Sequence, residues 1–160
     1  MTPTARPAAR LVDERALVGL GLHLRELAPG TDQVVYDLSM EAVSDRGSFE
    51  RPLLVLKGLR EPLASMHHLQ KALIDIARGH TRACQFETFE PGLSLNLEVD
   101  EDPERIRVEA WCDLHRASRA LRIHGGWKGQ REVGLRLITR PDALERFRLE
   151  IEAHVRDLLC

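Results

Sequence analysis

The sequence predicts an α+β fold: one sheet of six to seven mostly antiparallel strands, with two amphipathic helices, about 61–78 and 142–158, packed on one face. Three observations predict it. Apolar and polar residues alternate along several short stretches, most clearly from Leu93 to Cys112. Large apolar side chains recur at three- and four-residue steps along two longer stretches. Turn residues separate these segments.

Met1 to Arg10 carries Pro3, Pro7, Ala5, Ala8 and Ala9 and reads as a flexible tail, leaving 11–160 as a single domain. Val18, Leu20, Leu22 and Leu24 alternate with Gly19, Gly21, His23 and Arg25 and predict a first strand. A helix over Asp13 to Leu27 competes, weakened by the two glycines. After the Pro29-Gly30 turn, Val34, Tyr36, Leu38, Met40 and Ala42 mark one face of a strand from Gln33 to Val43. Asp45-Arg46-Gly47-Ser48 then turns the chain into a strand from Phe49 to Leu59.

Pro62 suits the first turn of a helix and Gly79 the residue past its end. Between them Leu63, Met66, Leu69, Leu73 and Ile76 form an apolar stripe. A strand near Ala83 to Phe89 leads through Pro91-Gly92 into a hairpin. Leu93, Leu95, Leu97 and Val99 fall on its buried face with Ile106, Val108, Ala110 and Cys112, and its turn is Asp100-Glu101-Asp102-Pro103-Glu104. Leu114 to Arg131 fits a short helix or a strand ending in the glycine-rich stretch around Trp127. Val133, Leu135 and Leu137 mark a last strand, Glu132 to Thr139. In the closing helix Leu144, Phe147, Ile151, Val155 and Leu158 share a face, and Asp142 with Glu145 fits a capping box, Thr139 being the other cap candidate. No internal repeat stands out.

With 160 residues, 43% hydrophobic and 30% charged, the chain can bury a core without staples. Its net charge of −2 gives no whole-chain attraction for nucleic acid or an anionic membrane. Charge is uneven, however. From Gln85 to His115 nine acids face two bases, whereas from Arg116 to Cys160 ten bases face six acids. The basic segment His115 to Lys128, with Trp127, could hold a nucleic-acid strand. The plainer reading is that it neutralises the acidic hairpin, and the expectation is of no nucleic-acid partner. No membrane partner is expected either, because the longest apolar stretch, Ala16 to Leu24, is too short to span. Cys84, Cys112 and Cys160, an odd count without a secretory leader, are expected to be free thiols in a cytoplasmic protein.

Catalytic signatures are absent: no nucleophile elbow, phosphate loop or dinucleotide glycine motif occurs. His80, Cys84, Cys112 and His115 offer two nitrogens and two sulfurs, a mixture that zinc accepts. Yet Cys112 falls in phase with the hairpin core, so no metal, no cofactor and no catalytic residue are expected. His67 and His68, adjacent on a helix, cannot face one centre. Trp111 falls among charges on the hairpin's wet face, as a binding anchor would, or as a residue covered by another segment would.

From Phe49 to Cys160 the chain resembles bacterial immunity proteins of the WapI kind. The shared pattern is a strand leading into a helix with an Ala-Leu pair, Phe86-Glu87-Thr88-Phe89-Glu90-Pro91-Gly92, the Leu93 to Val108 hairpin and a closing amphipathic helix. The resemblance implies a non-enzymatic protein that neutralises a cognate toxin by binding it, a role in toxin–antitoxin systems. An acidic turn suits a cationic protein partner, with Glu98, Asp100, Glu101, Asp102 and Glu104 steering it and Trp111 and Trp127 anchoring it. The alternatives are a structural or adaptor subunit of a bacterial assembly, and a zinc protein or enzyme built on the His/Cys cluster.

Overall fold

Period-two alternation becomes eight strands, and the two apolar stripes become two helices. The computed structural model describes residues 7–43, 49–88, 93–113 and 132–160. The order is β1 (Ala9–Val12), β2 (Val18–Leu27), β3 (Gln33–Val43), β4 (Phe49–Pro62), α1 (Leu63–Ala77), β5 (Ala83–Glu87), β6 (Leu93–Val99), β7 (Ile106–Asp113), β8 (Glu132–Thr139) and α2 (Pro141–Leu159).

The strands form two four-stranded antiparallel sheets, each a meander in chain order: β1-β2-β3-β4 and β5-β6-β7-β8. This corrects the expectation of one sheet of six to seven strands, while the α+β class with two helices stands. Each half is thus four strands followed by a helix, a structural repeat the sequence does not display. Alternation says which face of a strand is apolar but not which strand lies beside it.

The inner faces and both helices share one core. The first sheet supplies Leu20, Leu22, Val34, Tyr36, Leu38 and Met40, and the second supplies Leu95, Leu97, Ile106, Val108 and Leu137. The buried stripe of α1 is Met66, Leu69, Leu73 and Ile76, and that of α2 includes Leu144, Phe147, Ile151 and Val155. The helices pack on each other, α1 also against β5 and α2 against β1 and β2. Pro62 is the N-cap of α1, and Gly79, at φ +71°, takes the left-handed conformation that ends it. The expected capping box on α2 does not form. Arg140 is its N-cap, with Pro141 starting the helix, and Glu145 binds Arg148 instead.

Strand edges are closed by polar contacts. Arg10 N–H on β1 donates to the Glu150 carboxylate of α2 at 2.9 Å, and His154 Nε2 donates to Pro7 O at 2.9 Å. Residues 9 and 10, within the stretch read as a tail, therefore belong to a strand, and Ala9 is fully buried. The β1–β2 turn reaches the other sheet. Glu14 N–H donates to Ile138 O at 2.7 Å, and Ile138 N–H donates to Asp13 Oδ2 at 2.9 Å. Arg15 N–H binds the other oxygen, Asp13 Oδ1, at 2.9 Å. No helix among the described residues is long and apolar enough to cross a membrane.

Asp13 is the side chain that carries this contact between the sheets. Replacing it with Ala should lower unfolding free energy by about 1.5–3 kcal/mol, the usual worth of hydrogen bonds to a charged group. Urea denaturation reads the effect, and an unchanged midpoint would mean that the shared core alone holds the sheets together.

Candidate functional site

The outer face of the second sheet is open and polar, and its cross-strand register sets its residues in rows. One row is Glu87, Ser94, Trp111 and Gly134. The next is Gln85, Asn96, Glu109 and Arg136, and the third is Ala83, Glu98, Arg107 and Ile138. Among these residues Trp111 is the one large aromatic, and 37% of it is exposed.

Gly134, on the edge strand β8, explains the ring's posture. A Cβ built there would overlap Cε3 and Cζ3 of Trp111, so the six-membered ring lies directly on the Gly134 backbone. Only glycine permits that approach, and an aromatic covering a cross-strand glycine restores packing the glycine lacks. The sheet thus holds the indole against the Gly134 backbone while leaving part of it exposed. Sequence periodicity placed Trp111 on this face but gave no partner for it. The missed signal was a glycine at a wet-face position of β8.

The acidic character counted along the sequence is largely offset by neighbours. Arg136 pairs with Glu109 at 2.8 Å, and Arg107 with Glu98 at 3.3 Å and Asp100 at 3.7 Å. Arg105 reaches Glu14 at 2.8 Å and Asp100 at 4.0 Å, and Arg140 approaches Glu104 at 4.0 Å. Exposed pairs of this kind add little stability but erase much of the local field. The turn acids also hold their own backbone. Asp100 Oδ1 accepts the Glu101 N–H and Asp102 Oδ1 the Glu104 N–H, both near the 3 Å of an ordinary hydrogen bond.

The structure does not gather the residues expected to bind a partner into one patch. Glu98, Asp100, Glu101, Asp102 and Glu104 cluster at the Val99–Ile106 end of the β6–β7 hairpin, whereas Trp111 sits opposite Ser94 at the other end. Five residues of strand separate them, about 17 Å. Trp127 and His115 lie outside the described residues, as does the basic segment to which they belong. The other His/Cys candidates point to different surroundings. His80 Nδ1 faces Asp75 at 3.5 Å, Cys84 Sγ faces the Ala72 carbonyl at 3.7 Å, and Cys112 is buried on the inner face. Among the described residues no group of three or more potential ligands comes together.

No protein-family model matches the chain, and no curated protein sequence does. Solved structures do match. The plant transcriptional regulator PBF-2 superposes with a TM-score of 0.57 at 10% identity, covering 99% of this chain and 85% of that one. This chain has the fold of that regulator. WHY3 from Arabidopsis thaliana gives a TM-score of 0.49 at 9% identity, over 99% of this chain and 91% of that one. The likeness corrects two expectations: a toxin-neutralising immunity protein, or an assembly adaptor, and a chain without a nucleic-acid partner. The physical reason is that acids counted along the chain were taken as a repelling surface, although the fold sets cations beside them.

Two outcomes test this geometry. Replacing Gly134 with Ala should drive the indole off the sheet, shifting Trp111 emission to the red and raising its quenching by acrylamide. Unchanged emission would show that the ring does not rest on Gly134. Burial pushes the Cys112 thiol up to about 12, and a buried thiol that stays protonated is a poor nucleophile. A thiol reagent at mildly alkaline pH should therefore label exposed Cys160 quickly and Cys112 only on unfolding.

Proposed function

We propose that this chain binds single-stranded nucleic acid on the outer face of its second sheet, as a binding protein rather than an enzyme. The observation that carries the reading is the indole of Trp111, resting on Gly134 and partly exposed on a polar sheet. Such a ring offers a stacking platform to an unpaired base, whereas the bases of a duplex are already stacked on each other. The fold supports the same reading, because it is shared with a protein named as a transcriptional regulator, and transcription is regulated on nucleic acid.

The phosphates of a bound strand need cations. On the same face Arg136, one row from the platform, has a side chain 66% exposed. The chain joining β7 to β8 contributes Arg116, Arg119, Arg122, Lys128 and Arg131 in sequence and no acid. It leaves and rejoins the sheet at the Asp113–Glu132 pair, two residues beyond Trp111 and Gly134. The phosphate contribution should make binding weaken with salt.

Titrating the protein with a fluorescent single strand tests the proposal. Single-stranded DNA should bind more tightly than the matching duplex, and affinity should fall as salt rises. Replacing Trp111 with Ala should cost about 1–3 kcal/mol of binding while leaving the thermal midpoint close to wild type. Absence of single-strand binding, or equal affinity in wild type and variant, would sink the proposal.

A further inference from the structure

Beside the platform lies a second feature that stacking does not use. Along each strand the next residue on the same face is two positions on, so Glu109 follows Trp111 and Arg136 follows Gly134. Glu109 and Arg136 are themselves cross-strand partners, and Arg136 Nη2 meets Glu109 Oε1 at 2.8 Å. Their row lies about 7 Å along the strands from the platform row, within reach of the edge of a base stacked on the indole.

A carboxylate beside a phosphate is repulsive, so Glu109 is badly placed to meet a nucleic-acid backbone. It is well placed to meet a base. A guanidinium only donates hydrogen bonds and an ionised carboxylate only accepts them. The pair therefore presents a fixed donor beside a fixed acceptor. Guanine has the matching edge, with the O6 acceptor next to the N1–H and N2–H donors. It alone among the common bases offers two adjacent N–H groups to one carboxylate, so both oxygens can be used. Adenine and cytosine set an amino donor beside a ring acceptor, and thymine and uracil offer a single N–H.

Other charged groups on this face are less suited. Glu87 shares the row of Trp111 but lies two strands away, and its Oε1 accepts the Gln85 side-chain amide at 2.8 Å. Arg107 and Glu98 pair one row farther from the platform. We infer that the Glu109–Arg136 pair reads the edge of a guanine stacked on Trp111, giving the single-strand site a preference for guanine. The inference rests on the single-strand reading above and adds base selectivity to it.

The experiment measures affinity for short oligothymidylates carrying one central base: guanine, inosine, adenine, cytosine or thymine. Inosine keeps O6 and N1–H and lacks the N2 amino group, so it removes one donor without altering the protein. Wild type should bind the guanine strand about tenfold more tightly than the inosine strand, within the usual discrimination of a bidentate contact. Glu109→Gln, which replaces one acceptor oxygen with an amide, should bring the guanine strand down to the inosine level. Circular dichroism confirms that the variant is folded, and the inosine comparison decides the matter even if it is not. Equal wild-type affinity for all central bases would overturn the guanine inference and leave the single-strand reading standing. A guanine preference that survives in folded Glu109→Gln would overturn it as well. Failure of every strand to bind would overturn both.

Discussion

The β1–β2 turn on the edge of β8 is the contact on which the arrangement of the two sheets depends. Each sheet is an open meander, and among the described residues the backbone-to-backbone hydrogen bond between them runs from Glu14 to Ile138. Asp13 adds its carboxylate to the Ile138 N–H. This joins the first sheet to the edge strand of the second and turns their apolar faces toward one core, which the helices complete. The same contact occupies part of an edge that would otherwise template pairing with another chain. Burial at the meeting of the sheets is deep enough to raise the Tyr36 phenol above its ordinary range, with the charges of Glu61 and Cys112 adding to the effect.

Because the inner faces are spent on the core, the proposed function uses an outer one. On the second sheet Trp111 is a large aromatic left partly in water, which burial alone disfavours. Its contact with the Gly134 backbone offsets part of that cost by covering one ring face. The result is a rigid platform on paired strands rather than a side chain on a loop. Rigidity matters for recognition, since a ring already held in place loses less conformational entropy when a partner stacks on it.

Much of the fold was legible because burial writes itself into sequence. The strands Gln33–Val43 and Glu132–Thr139 fall where alternation put them, and the helix stripes of Leu69, Leu73, Phe147 and Ile151 are buried as their spacing required. The short β1 was missed because Ala9, Arg10, Leu11 and Val12 are too few to show a period and follow a proline- and alanine-rich stretch. Division into two sheets was illegible for a deeper reason: alternation fixes a face, whereas pairing is fixed by turns and by edge contacts such as Asp13. At the site the aromatic was legible and its setting was not. Nothing local in sequence links Trp111 to Gly134, or Glu109 to Arg136, because these pairs arise from the register of β7 against β8.

That register also bears on the tension between an acidic hairpin and the proposed nucleic-acid partner. Net charge along a segment predicts attraction or repulsion only if the charges act together at a distance, and ion pairing at 2.8–3.7 Å shortens their reach. What remains is local, and the face divides by it. The acids of the hairpin turn, of which Asp100 and Glu104 are paired with arginines, lie about 17 Å of strand away from the platform. In the row beside the indole Glu109 has Arg136 as its complement, so at the proposed site discrimination passes from net charge to hydrogen-bond pattern. A strand entering from the acidic end would be repelled through its phosphates, while one lying across the opposite end would meet the exposed ring first. In the proposed reading the turn acids bound the path of a polyanion rather than receive a partner.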